Sequence, residues 1–228
     1  MVSFGGACRG LTTGGPGYLR SVAYVGFEVS CRHCAAFERT GRDVQLVWPS
    51  KEFLPSYVGA LEQGWSPDSA RGRARVEEEL ASILLDADGY LASTVDREAT
   101  GAQITLPDGS TVARLPGYRR WLWDGEFCGV ISLRWQHGTT DLPPHCLGHI
   151  GYAVVPWKQR RGYATRALQQ LLPDARAEGL TYVEITTDPT NFASQRVIES
   201  NGGVLHERFV NPVQFGGADG LRYRIALG

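Results

Sequence analysis

Little in this sequence points to a membrane, a disulfide framework or a nucleic-acid partner. No apolar run is long enough to cross a bilayer. A formal charge of -1 argues against broad attraction to nucleic acid or acidic lipid. Five cysteines, an odd number without dense spacing, suit reduced thiols rather than a disulfide scaffold. The first residues lack the basic-then-apolar plan of a signal peptide, so the expected location is cytoplasmic. Also missing are the P-loop pattern G-x-x-x-x-G-K-[ST] and a G-x-G-x-x-G after a strand, which excludes the two commonest nucleotide cradles. There is no internal repeat, and no low-complexity tract beyond a glycine-rich start. What remains is an ordinary globular composition, 43% hydrophobic over 228 residues. That length suits one good-sized domain with an appendage, or two small ones.

What is present is concentrated in one stretch. Ile150 to Val155 is an apolar run that reads as a buried strand, ended by Pro156. A short loop closes in Gln159-Arg160-Arg161-Gly162-Tyr163-Ala164, after which Ala164, Ala167, Leu168, Leu171 and Leu172 recur at helical spacing. A strand that turns in this way into a helix presents unpaired amides and the positive end of the helix dipole. Arg160 and Arg161 add two full charges, and Gly162 lets an anion reach the backbone with no Cβ in the way. This is the physics of a phosphate or pyrophosphate site.

The pattern Q/R-x-x-G-x-G/A after a strand ending in V-P is met by Gln159, Gly162 and Ala164. It resembles the acetyl-CoA signature of the GNAT superfamily of N-acetyltransferases. Downstream, Asn191-Phe-Ala-Ser-Gln-Arg-Val-Ile-Glu-Ser-Asn-Gly202 resembles the N-x-A-S-x-R-V-I-E-x-x-G segment of the RimJ/RimL-like branch. The resemblance runs from about residue 44 to the C-terminus. It implies an α/β (α+β) GNAT-like fold: a mixed, mostly antiparallel central sheet with helices on both faces. It also implies acetyl-CoA as co-substrate, its pantetheine arm paired with the strand ending at Val154 and Val155. The pyrophosphate would lie on Gln159, Arg160, Arg161, Gly162, Tyr163, Ala164 and Thr165. Asn191 would contact the pantetheine, with Ser194 one helical turn further on. No metal is implied, because the thioester is already activated.

Two regions are expected. Residues 1–43 form a glycine-rich, poorly ordered extension, and residues 44–228 the GNAT-like acetyltransferase domain. In the extension, Cys31-Arg-His-Cys34 is a lone C-x-x-C that matches no common zinc module even with Cys8 and His33, so no metal is expected. Val44 to Trp48 alternates as a first strand. Ser50 is the N-cap candidate for a helix through Leu61, with Pro55 in its first turn. A second helix is expected over Ala70 to Ala87, with Val76, Leu80, Ile83, Leu84 and Ala87 on one face and Glu77-Glu78-Glu79 on the solvated side. Arg119 to Trp123 and Phe127 to Trp135 flank Asp124-Gly125-Glu126, a strong hairpin signal. The central strand (Leu147 to Val155) and its helix (Arg160 to Glu178, kinked or divided at Pro173) follow. Then come a strand over Tyr182 to Thr187, a short helix over Asn191 to Asn201, and strands at Val204–Val210 and Leu221–Ala226.

For catalysis, an amine must lose a proton, the thioester carbonyl must be polarised and the thiolate must regain a proton. The tyrosine that serves many GNAT enzymes as thiolate acid is replaced by Ile198. That leaves Ser194 as proton donor, or as a helix residue bonded to a backbone carbonyl. His149 stands about where the family's glutamate base begins the central strand. Its pKa suits a base at neutral pH, although a structural histidine is the competing reading. Tyr152 and Glu184 are weaker candidates. Tyr118, Trp121 and Trp123, with Trp135, either line the acceptor cleft or pack as core. Arg134 is either a partner for an acceptor carboxylate or an exposed strand arginine with no special role, and Tyr152 joins this substrate-facing set. Cys128 and Cys146 carry no His/Asp partner pattern, which argues against a covalent acetyl-enzyme. The expected function is transfer of the acetyl group to a primary amine on a small molecule, by direct transfer in a ternary complex. The alternatives are a protein N-terminal or lysine acetyltransferase, and a non-catalytic acyl-CoA-binding module. No nucleic-acid or membrane partner is expected, and the protein is read as a monomer or homodimer.

Overall fold

A computed structural model describes residues 43–68, 71–106, 109–212 and 217–228. The cysteine pair at 31 and 34 and the expected disorder of the extension fall outside them. Strand β1 (Gln45–Val47) is followed by helices α1 (Leu54–Glu62), α2 (Gly72–Leu85) and α3 (Ala87–Ser93). After short strands β2 (Val95–Asp96), β3 (Ile104–Thr105) and β4 (Thr111–Val112) come the long β5 (Gly117–Trp123), β6 (Phe127–Arg134) and β7 (Ile150–Val154). A single 3-10 turn, Pro156–Lys158, leads to α4 (Tyr163–Ala177), β8 (Tyr182–Thr187), α5 (Phe192–Glu199), β9 (Val204–Val210) and β10 (Asp219–Ala226).

Two sheets result. One runs β1-β5-β6-β7, with β2 also on β5; the other runs β8-β10-β9, and β3 and β4 form a separate hairpin. Every ladder among the described residues is antiparallel. The sheets meet at one point, where the His149 amide donates to the Glu184 carbonyl at 2.8 Å. Beyond it β7 has only β6 as strand partner among the described residues, so its other edge carries no strand ladder and, of its carbonyls, that of Val154 accepts from a side chain, Gln159.

Strand alternation sorts the apolar side chains into two cores. Ile150, Tyr152 and Val154 of β7 turn toward α4 and α5, packing with Ile131 and Leu133 of β6 and with Ala167, Leu168 and Leu171 of α4. Ala153 and Val155 turn the other way, onto Tyr57, Leu61, Trp121 and Phe127 beneath α1 to α3. Helices therefore cover both faces, as the resemblance implies. At Gly129 the backbone has φ +154°, and a Cβ would lie 2.2 Å from the Ala153 carbonyl oxygen, so glycine lets β6 and β7 close up at the end of β7.

Several local expectations need correction. Ser50 does not cap α1 through its side chain: Phe53 is the N-cap residue, and the Ser50 carbonyl accepts from the Phe53 and Leu54 amides. The second helix ends early. Asp86 breaks it with extended φ and ψ, and its carboxylate caps α3 by accepting from Gly89 N at 2.9 Å. Leu84, expected on the buried face, is 89% exposed, the buried residues of α2 being Val76 and Glu79. Pro173 neither ends nor divides α4, because it lies on the exposed side, where the carbonyl that loses its partner faces water.

Glu79 departs furthest from expectation. It is 2% exposed rather than solvated, since position 79 lies three residues after Val76 and four before Ile83, on the apolar face of α2. Tyr57 Oη donates to its carboxylate, as do Tyr90 Oη at 2.6 Å, Arg119 at 2.9 Å and Arg75 at 2.5 Å. Burial pushes this carboxyl up, but Arg119, the two hydroxyls and Arg75 outweigh it and hold the group below its ordinary range.

Candidate active site

The loop between β7 and α4 is shaped by two left-handed residues, Arg160 at φ +59° and the N-cap Gly162 at φ +76°. For a non-glycine residue that conformation costs on the order of 1–2 kcal/mol, so Arg160 is held there by its surroundings. The first helical bond runs from Arg166 N to Gly162 O at 3.0 Å, which leaves the amides of Tyr163, Ala164 and Thr165 ahead of it, pointing out of the helix start. A Cβ at Gly162 would meet only Arg166, at 3.8 Å, so the space before the helix is open. Arg166 donates to Arg161 O at 3.1 Å, and its Nε is buried without a partner. With Arg160 and Arg161 it makes a third arginine at the loop. It was missed in the sequence, where only its spacing of four from Gly162 marks it. The open cradle, the leading amides and the orphaned Nε fit an anionic group of pyrophosphate type.

Both ends of the loop are pinned to one carboxylate. Lys158 Nζ donates to Asp124 Oδ1 at 3.0 Å and Oδ2 at 2.9 Å, and Tyr163 Oη donates to Oδ2 at 2.5 Å. Glu126 adds a second partner for Lys158 at 2.5 Å. Burial pulls the Lys158 ammonium down, and Glu126 and Asp124 more than offset it; the group stays charged. The Asp-Gly-Glu hairpin turn is thus the anchor of the loop, and it reads in sequence only as a turn. Tyr163 is correspondingly buried, so only its amide faces the cradle. Gln159 Nε2 turns back to Val154 O at 3.2 Å.

Around the free edge of β7 the expected residues divide. Tyr152 Oη and Ser194 Oγ are 2.9 Å apart, and the same hydroxyl lies 3.3 Å from Ser194 O. Burial pushes the Tyr152 hydroxyl up to about 12. Ser194 is presented by the first turn of α5, where Asn191 Oδ1 caps the helix by accepting from Ser194 N at 3.0 Å.

His149 is not placed as a base. It is fully buried, Nδ1 accepts from Glu184 N at 2.9 Å, and Nε2 donates to Thr140 O at 2.9 Å, so neither ring nitrogen has a free lone pair. Burial pulls its pKa down, and Arg134 and Arg224 add to this. On acidification the unfolded chain therefore takes up the proton first. The stability this histidine contributes is complete above about pH 6.5 and is lost as pH falls from there toward the lower folded value. His149→Ala leaves two buried backbone groups unpaired at about 1–3 kcal/mol each. Thermal melts between pH 5 and 8 should show a variant several degrees less stable than the parent at pH 8 and lacking its acid-side slope. Superimposable melts would contradict this.

The aromatic wall needs correction too. Trp121 is fully buried and stacks on Tyr57 with ring centroids 4.6 Å apart. Tyr118 is buried on the opposite face, its hydroxyl 3.5 Å from Asp174 of α4. Trp123 packs on Phe53 at 4.6 Å and is half-buried. Core packing therefore claims Tyr118 and Trp121, and at Gly151, where β7 has no side chain, the neighbours from β6 are polar: Ser132 and Arg134. Cys128 is buried, and burial, with Asp124, pushes its thiol up to about 12. Among the described residues no three His, Cys, Asp or Glu side chains group as they would around a metal ion, and no helix is long and apolar enough to cross a membrane.

A split pair of sheets, a free strand edge at the split and a cationic helix start beside it define a class of acyl-CoA-dependent transferases. The model of the acetyltransferase (GNAT) domain matches residues 78–204, more than half of the chain, and the chain belongs to that family. Among solved structures it is similar to the microcin C7 self-immunity acetyltransferase MccE in complex with acetyl-CoA and AMP. That match has 13% identity and a TM-score of 0.54, and covers 81% of this chain and 92% of that one. It is also similar to RimJ of Mycobacterium smegmatis in complex with CoA-disulfide, at 20% identity and TM-score 0.53 over 80% and 81% of the two chains. At these identities the likeness is one of fold. No curated protein matches the sequence. The protein is an acetyl-CoA-dependent acetyltransferase.

Proposed function

We propose that this enzyme moves the acetyl group of acetyl-CoA to the primary amine of a small molecule, by direct transfer in a ternary complex. The single observation that carries the reading is the pairing of an open, arginine-flanked helix start with the free edge of β7, ending in the Tyr152–Ser194 hydroxyl pair. In this reading the amides of residues 163–165, with Arg160, Arg161 and Arg166, hold the diphosphate. The β7 edge up to Val154 takes the pantetheine amides, with Gln159 releasing the Val154 carbonyl and Asn191 helping; Val155, expected here too, spends its amide on Cys128 O at 3.0 Å. Acetyl-CoA supplies an acyl group already activated as a thioester. The amine nitrogen bonds to the acetyl carbon as the carbon–sulfur bond breaks, and the leaving thiolate receives a proton from the Tyr152–Ser194 pair. The Tyr152 hydroxyl is protonated at neutral pH, and because burial makes it a weaker acid than an ordinary tyrosine, its role rests on its position beside Ser194; the pair recovers its proton from water after thiol release. Glu79, His149 and Glu184 are all engaged by other groups, so the amine gives its proton to water. The thiol of Cys128 is too basic and too buried to act as a nucleophile, which favours direct transfer. Residues 44–228 form the catalytic domain in this reading.

Calorimetry with acetyl-CoA, and thiol release against a panel of small amines and N-terminal peptides, tests the assignment. Tyr152→Phe and Ser194→Ala should each lower kcat by about 100-fold, the usual scale for a positioned acid, with acetyl-CoA affinity little changed. Unaltered kcat in both variants would remove the pair from the mechanism. Turnover of peptides alone would replace the small acceptor with a protein.

A further inference from the structure

On the face of β7 beneath α1 to α3, Gly151 has no side chain. A Cβ there would lie 3.4 Å from Arg134 Nη2 and 3.7 Å from Ser132 Oγ. Both groups therefore lie over the β7 backbone one residue before Tyr152, on the face of the sheet opposite the Tyr152–Ser194 hydroxyls. Ser132 Oγ is held by donating to Gly151 O at 3.3 Å. Arg134, by contrast, is half-buried and has no ion-pair partner among the described residues. The other strand arginines around it are neutralised. Arg119 holds Glu79 at 2.9 Å, Arg222 holds Glu207 at 2.8 Å and Arg224 holds Glu184 at 2.7 Å. Those carboxylates are thus taken, and one planar guanidinium is left over beside the reacting edge. A partly desolvated cation without a counter-charge is costly to keep, and its forked donors match a carboxylate or phosphate.

We propose that the acetyl acceptor is a small amine carrying an oxyanion group, carboxylate or phosphate, and that Arg134 receives that group beside Gly151. The inference rests on the reading of β7 as the strand that holds acetyl-CoA. It also bears on the missing base: a nearby positive charge disfavours the ammonium form of the bound amine, easing loss of its proton to water. Tyr118, Trp121 and Trp135 are in the core rather than in a cleft wall, which agrees with an acceptor held by polar contacts.

The test uses matched probes on the full-length protein: β-alanine against its primary amide, and 2-aminoethyl phosphate against ethanolamine. The parent enzyme should use the charged member of at least one pair with a kcat/KM at least tenfold higher. The preferred pair tells carboxylate from phosphate. Arg134→Gln should bring that ratio close to one while the acetyl-CoA affinity measured by calorimetry holds, and Arg134→Lys should recover part of it. Equal use of both members, use of neither, or a preference that survives Arg134→Gln overturns the inference while leaving the acetyl-CoA site intact. Absence of acetyl-CoA binding in the parent takes down the underlying reading as well.

Discussion

Gly162→Glu is expected to abolish acetyl-CoA binding, with a loss of affinity of about 100-fold or more. Three effects act together. At φ +76° any side chain strains the backbone, by about 1–2 kcal/mol. The glutamate would grow from a Cβ that meets only Arg166 into the open space before α4, the place the proposed reading gives to the diphosphate. Its negative charge would also occupy Arg160, Arg161 and Arg166 and the positive end of the helix, in direct competition with the ligand. Gly162→Ala carries the strain without the charge and should lose only about tenfold. Calorimetric titration of each folded variant with acetyl-CoA measures the difference. If Gly162→Glu binds as tightly as the parent, the loop does not hold the diphosphate.

Glu79→Ala should be the most destabilising single substitution among those considered. It removes the one carboxylate shared by Tyr57, Tyr90, Arg75 and Arg119, and strands their donors in a buried pocket. Stripping one partner from a buried ion pair costs about 3–5 kcal/mol. For a chain of this size that lowers the melting temperature by on the order of 10 °C. Glu79→Gln keeps the shape and an acceptor oxygen but not the charge, and should fall between parent and Glu79→Ala. Circular-dichroism melts rank the three proteins. If Glu79→Ala melts with the parent, the cluster contributes nothing to stability. The loss should also reach function, since Arg119 of the cluster pairs in register with Ser132, which pairs with Gly151 of β7.

The features legible in the sequence are those that neighbouring residues decide. Turn chemistry fixes the Asp124-Gly125-Glu126 hairpin, capping fixes Asn191 at the start of α5, and the run from Val155 to Gly162 carries its own strand end, turn and helix start. Periodicity also places Val76 and Ile83 on one face of α2. Applied to position 79 it puts Glu79 there as well, but the charge run Glu77-Glu78-Glu79 pulls the reading toward solvent. The aromatic strand residues show the other limit. Alternation says that Tyr118 and Trp121 point to opposite faces from their neighbours, but not which face a helix covers.

The residues that needed the fold are those whose partners are far along the chain. Asp124 meets Lys158 and Tyr163, Tyr152 meets Ser194, and His149 meets both Thr140 and the amide of Glu184. A histidine with ordinary chemistry reads as a base until its two nitrogens are seen to be occupied. An arginine on a strand reads as solvent-facing until its neighbours are seen to be paired and it is not. Local steric and hydrogen-bonding rules thus mark the strand end, turn and helix start near residue 160, and the motif resemblance marks the GNAT acetyltransferase family. Only tertiary packing decided which polar groups are spent holding the fold and which stay unpaired, because that depends on through-space pairing and on the exclusion of water.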